Sequence, residues 1–309
     1  MATHEIQDAK FKPKFSGHET FPFRYDWLRK CLTGPLIRDG IAWEINNPIE
    51  QAMVAFGIGK NMVRSMRHWA MVIGAATVTG DSVAPTDFGK RLLLDTDPFL
   101  ERLGTIWLLH WRIATNAENA TSWYWMFNHS SSSTVSQTSL TDDLVRAAAA
   151  NGWKAVSVGT VQRDVECLLR CYSYGRGKKG EVTEDSIECP LAELELLRPT
   201  GDKRMFEFRR GRQPTLPDGV FAFALAEFLD RRGGDHRTLG FDKIAHAPGS
   251  PGRVFRLDED GVAERLERIA DVTDGALRWV DTAGLRQLQR IRVTDDPLSY
   301  VLASFQEAA

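Results

Sequence analysis

The sequence predicts a mainly α fold with small β hairpins: two winged-helix-like units followed by a helical C-terminal region. Three observations lead there. Amphipathic, glycine-punctuated stretches from Pro48 to Ile73 run into a short alternating segment around Gly80-Asp81. A weaker copy of that order begins at Thr141. The 309 residues are 43% hydrophobic, enough to bury a core in a chain about two domains long at roughly 150 residues each.

In the first unit, Pro48 opens a helix with Ile49, Met53, Val54 and Phe56 at helical spacing, and Gly57-Ile58-Gly59 stops it. A second helix starts near Lys60. Met62, Val63, Met66, Trp69, Ala70 and Ile73 share its apolar face, and Lys60, Asn61, Arg64, Arg67 and His68 the opposite one. Thr77-Val78-Thr79 and Ser82-Val83-Ala84 then form a hairpin about Gly80-Asp81, and Thr86 caps a helix through Leu94. Two helices, a tight turn and a hairpin are the order of a winged helix.

In the second unit, Thr141 to Ala150 is a helix of good formers. Thr160 caps another through Tyr172, which buries Val161, Val165, Leu168 and Leu169 and exposes Arg163, Glu166 and Arg170. Glu193 to Leu197 and Met205 to Arg209 alternate around Pro199-Thr200-Gly201-Asp202, a larger wing near Lys203, Arg204, Arg209, Arg210 and Arg212. Helix Phe221 to Arg231 follows. The remainder reads as helix Phe241 to Ala245, strand Val254 to Leu257, helix Gly261 to Asp271 and a last helix near Ala283 to Ile291.

His129 to Ser139 is of low complexity and reads as an exposed loop or hinge between domains 1–130 and 140–309. Eight of nine tryptophans precede residue 154, so the two regions differ in construction. Tyr174 to Glu184 and Ala247 to Arg253 are further glycine-rich breaks.

With 39 basic against 41 acidic residues, the formal net charge is -2. That excludes a polybasic nucleic-acid coater and a disordered chain, so any nucleic-acid site is a local patch. No apolar run reaches the length of a membrane helix, and the N-terminus lacks the apolar core of a secretory signal. Four cysteines are too few for a disulfide scaffold, which points to a reduced, cytoplasmic protein. Cys167, Cys171 and Cys189 lack a CxxC pair and read as buried thiols.

The strongest binding signal is the second helix of the first unit. No acidic residue lies between Glu50 and Asp81, while Lys60, Arg64 and Arg67 share a face that attracts phosphates. A solvated amphipathic face would look the same. Arg176, Lys178 and Lys179 sit in a glycine-rich loop that either orders on DNA or is plain surface. Gly57-Ile58-Gly59-Lys60 lacks the leading glycine and trailing Ser or Thr of a P-loop, so turn geometry explains it.

For chemistry, His18 and Glu19 stand side by side between Phe15 and Phe21, with Asp26 seven residues on. Such a cluster suits proton transfer or a metal, and equally suits a histidine and carboxylate that anchor an N-terminal turn. Asp235-His236-Arg237 is a second polar turn. His110, between Leu109 and Trp111, reads as a satisfied core histidine. No zinc-finger, HExxH, GxSxG or restriction-type Glu-x-Lys pattern is present.

Three motifs in order, FSGHETFPFRYDWLRK (15–30), FGIGKNMVRSMRHWA (56–70) and GTIWLLHWRIA with TSWYWMFN (104–128), resemble a family from bacterial DNA phosphorothioation and phage-defence operons. The resemblance covers nearly the whole chain. It implies the DNA-nicking component of a single-stranded phosphorothioation system: a protein that binds double-stranded DNA and cuts one strand. Its partners would be a cysteine desulfurase and an ATP-using sulfurtransferase-like protein. Mg²⁺ held by carboxylates is the default cofactor for such hydrolysis, and a homodimer is consistent with two-fold DNA binding. A non-catalytic DNA-binding adaptor and a scaffold without DNA contact are the competing expectations.

Overall fold

The computed structural model describes residues 6, 11–33, 43–44, 49–79, 82–154, 156–173, 189–202, 204–232, 237–282 and 284–307. The first unit comprises α1 (Tyr25–Thr33), β1 (Trp43–Glu44), α2 (Ile49–Phe56), α3 (Lys60–Ile73), β2 (Ala76–Thr79) and β3 (Ser82–Pro85). Its antiparallel sheet has the order β1-β3-β2, with Val83 opposite both Trp43 and Val78. Gly57, at φ 66°, makes the turn out of α2 that a side chain would strain. The Thr86 side chain accepts from the Gly89 N–H and caps α4 (Asp87–Lys90), which widens into a π-helix over Arg91–Thr96. Pro48 and the Gly80-Asp81 turn lie outside the described residues.

Helices α5 (Leu103–Ala114) and α6 (Thr121–Asn128) lead to the second unit. There, β4 (Thr134–Ser136), α7 (Gln137–Ala150), α8 (Val158–Tyr172), a 3₁₀ turn (Pro190–Leu194), β5 (Leu197–Pro199) and β6 (Met205–Phe208) follow in turn. The sheet order β4-β6-β5 repeats the first unit's pattern. The serine-rich stretch expected to be a loop thus holds a strand and a helix start: Ser136 and Ser139 form a reciprocal capping box for α7. Helix α8 starts at Val158 after Ser157, and Thr160 lies within it. Glu193 belongs to the 3₁₀ turn, so β5 is shorter than the alternation suggested.

The C-terminal part is not simply helical. After α9 (Asp218–Arg231) come β7 (Thr238–Gly240), α10 (Phe241–His246), α11 (Pro251–Val254), α12 (Glu259–Glu267), α13 (Ile269–Val272), β8 (Leu277–Thr282), β9 (Leu285–Arg290) and α14 (Leu298–Glu307). The order β7-β9-β8 makes this a third strand–helices–hairpin unit. Two expectations fail here. Val254 ends a helix opened by Ser250, which caps Arg253, and by Pro251 at its first position. Leu285–Arg290, good helix formers, are instead a strand: pairing with β8 buries Leu288 and Arg290 at period two.

One continuous apolar core runs from Ile6 to Phe305. At its centre lie α5 and α9, buried on nearly every face, as expected for helices apolar all round. Glu227 of α9 accepts from Arg112 (2.6 Å) and Trp111 Nε1 (2.8 Å) of α5 and from Arg231 (2.9 Å). His110 is the satisfied core histidine expected: Nε2–H donates to the Val254 carbonyl (3.0 Å), and Nδ1 accepts from the Tyr172 hydroxyl (2.8 Å). Among the described residues no helix is long and apolar enough to cross a membrane.

Candidate nucleic-acid interface

Helix α3 divides as its sequence pattern demands. Val63, Met66, Trp69, Ala70, Val72 and Ile73 are buried, whereas Lys60, Asn61 and Arg64 are exposed and Arg67 is half-buried. None of Lys60, Arg64 and Arg67 forms an ion pair among the described residues, so their charge is free for a ligand. Gly59 precedes the helix without a side-chain cap, which leaves the first-turn N–H groups unspent beside Lys60. His68 departs from this face. It is half-buried, an edge-on neighbour of His18 (6.1 Å between ring centroids), and burial pushes its pKa down to about 3.

The turn 17–21 is held between α3 and α8. From α3, Trp69 Nε1 donates to the Phe21 carbonyl (3.1 Å), and His68 lies under Gly17. From α8, Arg170 donates to the Thr20 carbonyl (3.1 Å), and Asp164 bonds His18 (2.6 Å). The Thr20 N–H donates to His18 Nδ1 (3.0 Å), so the ring carries its proton on Nε2 and gives it to Asp164. Both residues of the pair are buried, at 3% and 2% exposure, and the His18 ring packs on Trp69 and Trp123. Glu19 and Thr20 are held at φ 48° and 65°, and Gly17 at 115°.

The structure therefore separates the three residues expected to form one cluster. His18 is an interior anchor whose carboxylate partner is Asp164. Glu19 is half-buried on the strained turn. Asp26 is exposed in the first turn of α1 and pairs with Lys30 (3.4 Å).

Of the wing arginines, Arg209 is paired with Glu195 (3.4 Å), whereas Arg210 is exposed and, among the described residues, donates only to the Leu257 carbonyl (3.2 Å). Arg176, Lys178, Lys179, Asp235 and His236 lie outside the described residues. All four cysteines are buried and none is in a disulfide among the described residues, and burial pushes Cys31 up to about 12. Among the described residues no three His, Cys, Asp or Glu side chains converge as a metal cage would require.

Residues 15–305 match the family described as a protein of unknown function, DUF4007. The chain belongs to this family. Two solved structures are similar to this DUF4007 chain over almost its full length. One, described as the SspB crystal structure, has a TM-score of 0.79 and 28% identity, and the match covers 98% of this chain and 89% of that one. The other, a magnesium ion-bound SspB crystal structure, has a TM-score of 0.77 and 29% identity, with 96% and 87% covered. The fold is SspB-like. No curated protein matches the sequence.

Sequence reasoning missed Asp164, because a buried acid 146 residues from its histidine leaves no strong signal near that histidine. A faint one existed: Asp164 lies on the apolar face of α8, between Val161 and Leu168, where an unpaired carboxylate is too costly to keep.

Proposed function

We propose that this DUF4007 chain binds double-stranded DNA through the exposed face of α3 and cuts one strand in the service of DNA phosphorothioation. The observation that carries the binding half is the Lys60–Asn61–Arg64–Arg67 face, without ion pairs among the described residues, on the second helix of a helix–helix–hairpin unit. The order β1-α2-α3-β2-β3, with β1 added beside β3, is the one a winged helix uses to present its recognition helix to the major groove. Likeness to SspB, together with the three family motifs, supports a place in the phosphorothioation system, with a cysteine desulfurase and an ATP-using sulfurtransferase-like protein as partners.

The turn 17–21 is the candidate for chemistry, since it joins α3 to α8 under backbone strain. Glu19 is its solvent-reaching acid, and His18 is a positioning residue that fixes the turn through Asp164. Mg²⁺ commonly takes one or two carboxylates plus water and phosphate oxygens. One SspB structure carries it, but the described residues here single out no carboxylate set.

Supercoiled plasmid incubated with the purified chain, with and without chelator, tests the reading. Conversion to open circle that Glu19→Gln abolishes, at DNA affinity within a few-fold of wild type, supports it. Salt-dependent binding without conversion, alone or with the partner proteins, establishes the adaptor instead.

A further inference from the structure

A second cationic site lies where the hairpin of the second unit meets the third. The Gly211 N–H donates to the Arg256 carbonyl (3.0 Å) and Gly211 bridges Leu257, which brings Arg210 beside the segment carrying Arg253 and Arg256. The three side chains grade in exposure: Arg210 is exposed, Arg253 half-buried, and Arg256 only 9% exposed. Among the described residues their side-chain hydrogen bonds go to backbone carbonyls alone. Arg253 donates to Asn128 (3.1 Å) and Ser130 (3.0 Å), Arg256 to Met126 (2.8 Å), and Arg210 to Leu257 (3.2 Å).

None of the three forms an ion pair among the described residues, unlike Arg112, Arg231 and Arg268. Among the described residues the buried Arg256 Nε–H has no hydrogen-bond partner. The guanidiniums bear on one another: burial, then Arg253 and Arg210, push Arg256 down to about 9. Part of this arrangement caps the C-terminus of α6, whose last carbonyls take the bonds from Arg253 and Arg256. A helix end offers roughly half an elementary charge, against three guanidiniums. Arg256 also stacks on Phe208 (3.7 Å to the ring centroid), which eases its burial, but ring faces and carbonyls supply no full counter-charge, and an anion bound there would relieve the repulsion among the three. Planar guanidinium forks with unspent donors match the oxygens of a phosphate.

We infer that Arg210, Arg253 and Arg256 form a phosphate site that takes a backbone phosphodiester of the DNA, apart from the α3 contact. Arg210 meets the phosphate at the surface, Arg253 reaches it with its unspent Nη1 group, and Arg256 supplies charge from beneath. The inference rests on the DNA-binding reading, and the test separates the two.

Binding of a fluorescent 30-base-pair duplex is measured over a salt series for wild type, Arg210→Gln/Arg253→Gln, and Arg64→Ala/Arg67→Ala. The single variant Arg210→Glu, at an exposed position, probes the site without altering the two less exposed arginines, and its urea midpoint is compared with that of wild type. Loss of one phosphate contact flattens the slope of log K against log salt by about 0.9. We expect that loss, with affinity down at least several-fold, in the Arg210→Gln/Arg253→Gln protein and again in Arg210→Glu. Wild-type slope and affinity in Arg210→Glu, while the α3 variant weakens, overturns this site and leaves the α3 reading standing. The reverse pattern keeps this site and removes α3. Unchanged binding in both overturns both. Inorganic phosphate, at constant ionic strength, forms the second arm: if it raises Tm in wild type but not in Arg210→Glu, and duplex binding is unaltered, the site takes free phosphate and the DNA assignment falls.

Discussion

Replacing His18 by alanine tests whether the turn between α3 and α8 is held by the buried hydrogen bond from His18 to Asp164. In wild type, Asp164 has one oxygen bonded to His18 at 2.6 Å, and its other oxygen is buried without a partner. His18→Ala would leave the whole carboxylate buried and unsatisfied. Leaving a buried acceptor without its donor costs about 1–3 kcal/mol, and more for a charged group. The void beside Trp69 and Trp123 adds a large-to-small term of about 2 kcal/mol. The total is a large share of the roughly 5–15 kcal/mol that stabilises an ordinary domain. His18→Ala/Asp164→Ala should recover about 1–3 kcal/mol relative to the sum of the single changes, because the stranded charge is gone. The apolar pair His18→Phe/Asp164→Leu should be close to wild type in stability. Urea denaturation followed by tryptophan fluorescence reads these values directly, since both flanking rings are tryptophans. A loss below about 1 kcal/mol for His18→Ala, or strict additivity in the cycle, would refute the reasoning. Nicking that persists in the folded apolar pair would assign His18 to positioning alone.

Other perturbations follow from single features of the fold. Gly17→Ala places a Cβ 2.5 Å from His68 Nδ1 at φ 115°, so it should cost about 2 kcal/mol or more by urea midpoint; a neutral substitution would mean the turn is not fixed by α3. Arg64→Ala/Arg67→Ala should flatten the salt slope of duplex binding by about 1–2 units at unchanged Tm, and an unaltered slope would remove α3 from the interface. Acid should unfold the protein through its buried histidines. Burial lowers His110 to about 4 from 6.5, so its contribution is complete above pH 6.5 and is lost as pH falls towards 4, by about 3 kcal/mol in total. His68, lowered to about 3 by burial, acts in the same direction. A urea midpoint that stays flat between pH 7 and pH 4.5 would contradict this assignment.

What the sequence determined by itself is what local periodicity and local capping encode. The two faces of α3, the Gly57 turn, the Thr86 cap and the burial of His110 all depend on residues within a few positions of one another. The same holds for the small antiparallel hairpins, whose strands are close in the chain. Tertiary structure decided the rest. Leu285–Arg290 carries helix-forming residues, and only the partner strand β8 turned it into a strand. The third unit went unseen for that reason, and because Ser250 and Pro251 were read as a break when they cap and open α11. The site was legible where it is a helix face and illegible where it is a contact between distant segments. His18 takes its carboxylate from Asp164, not from its neighbour Glu19, because α8 packs against the N-terminal turn. Arg210 meets Arg253 and Arg256 only because Gly211 bridges Leu257. A sequence pattern fixes which face of an element is apolar; which other element covers that face is set by packing of the whole core, and that choice is non-local.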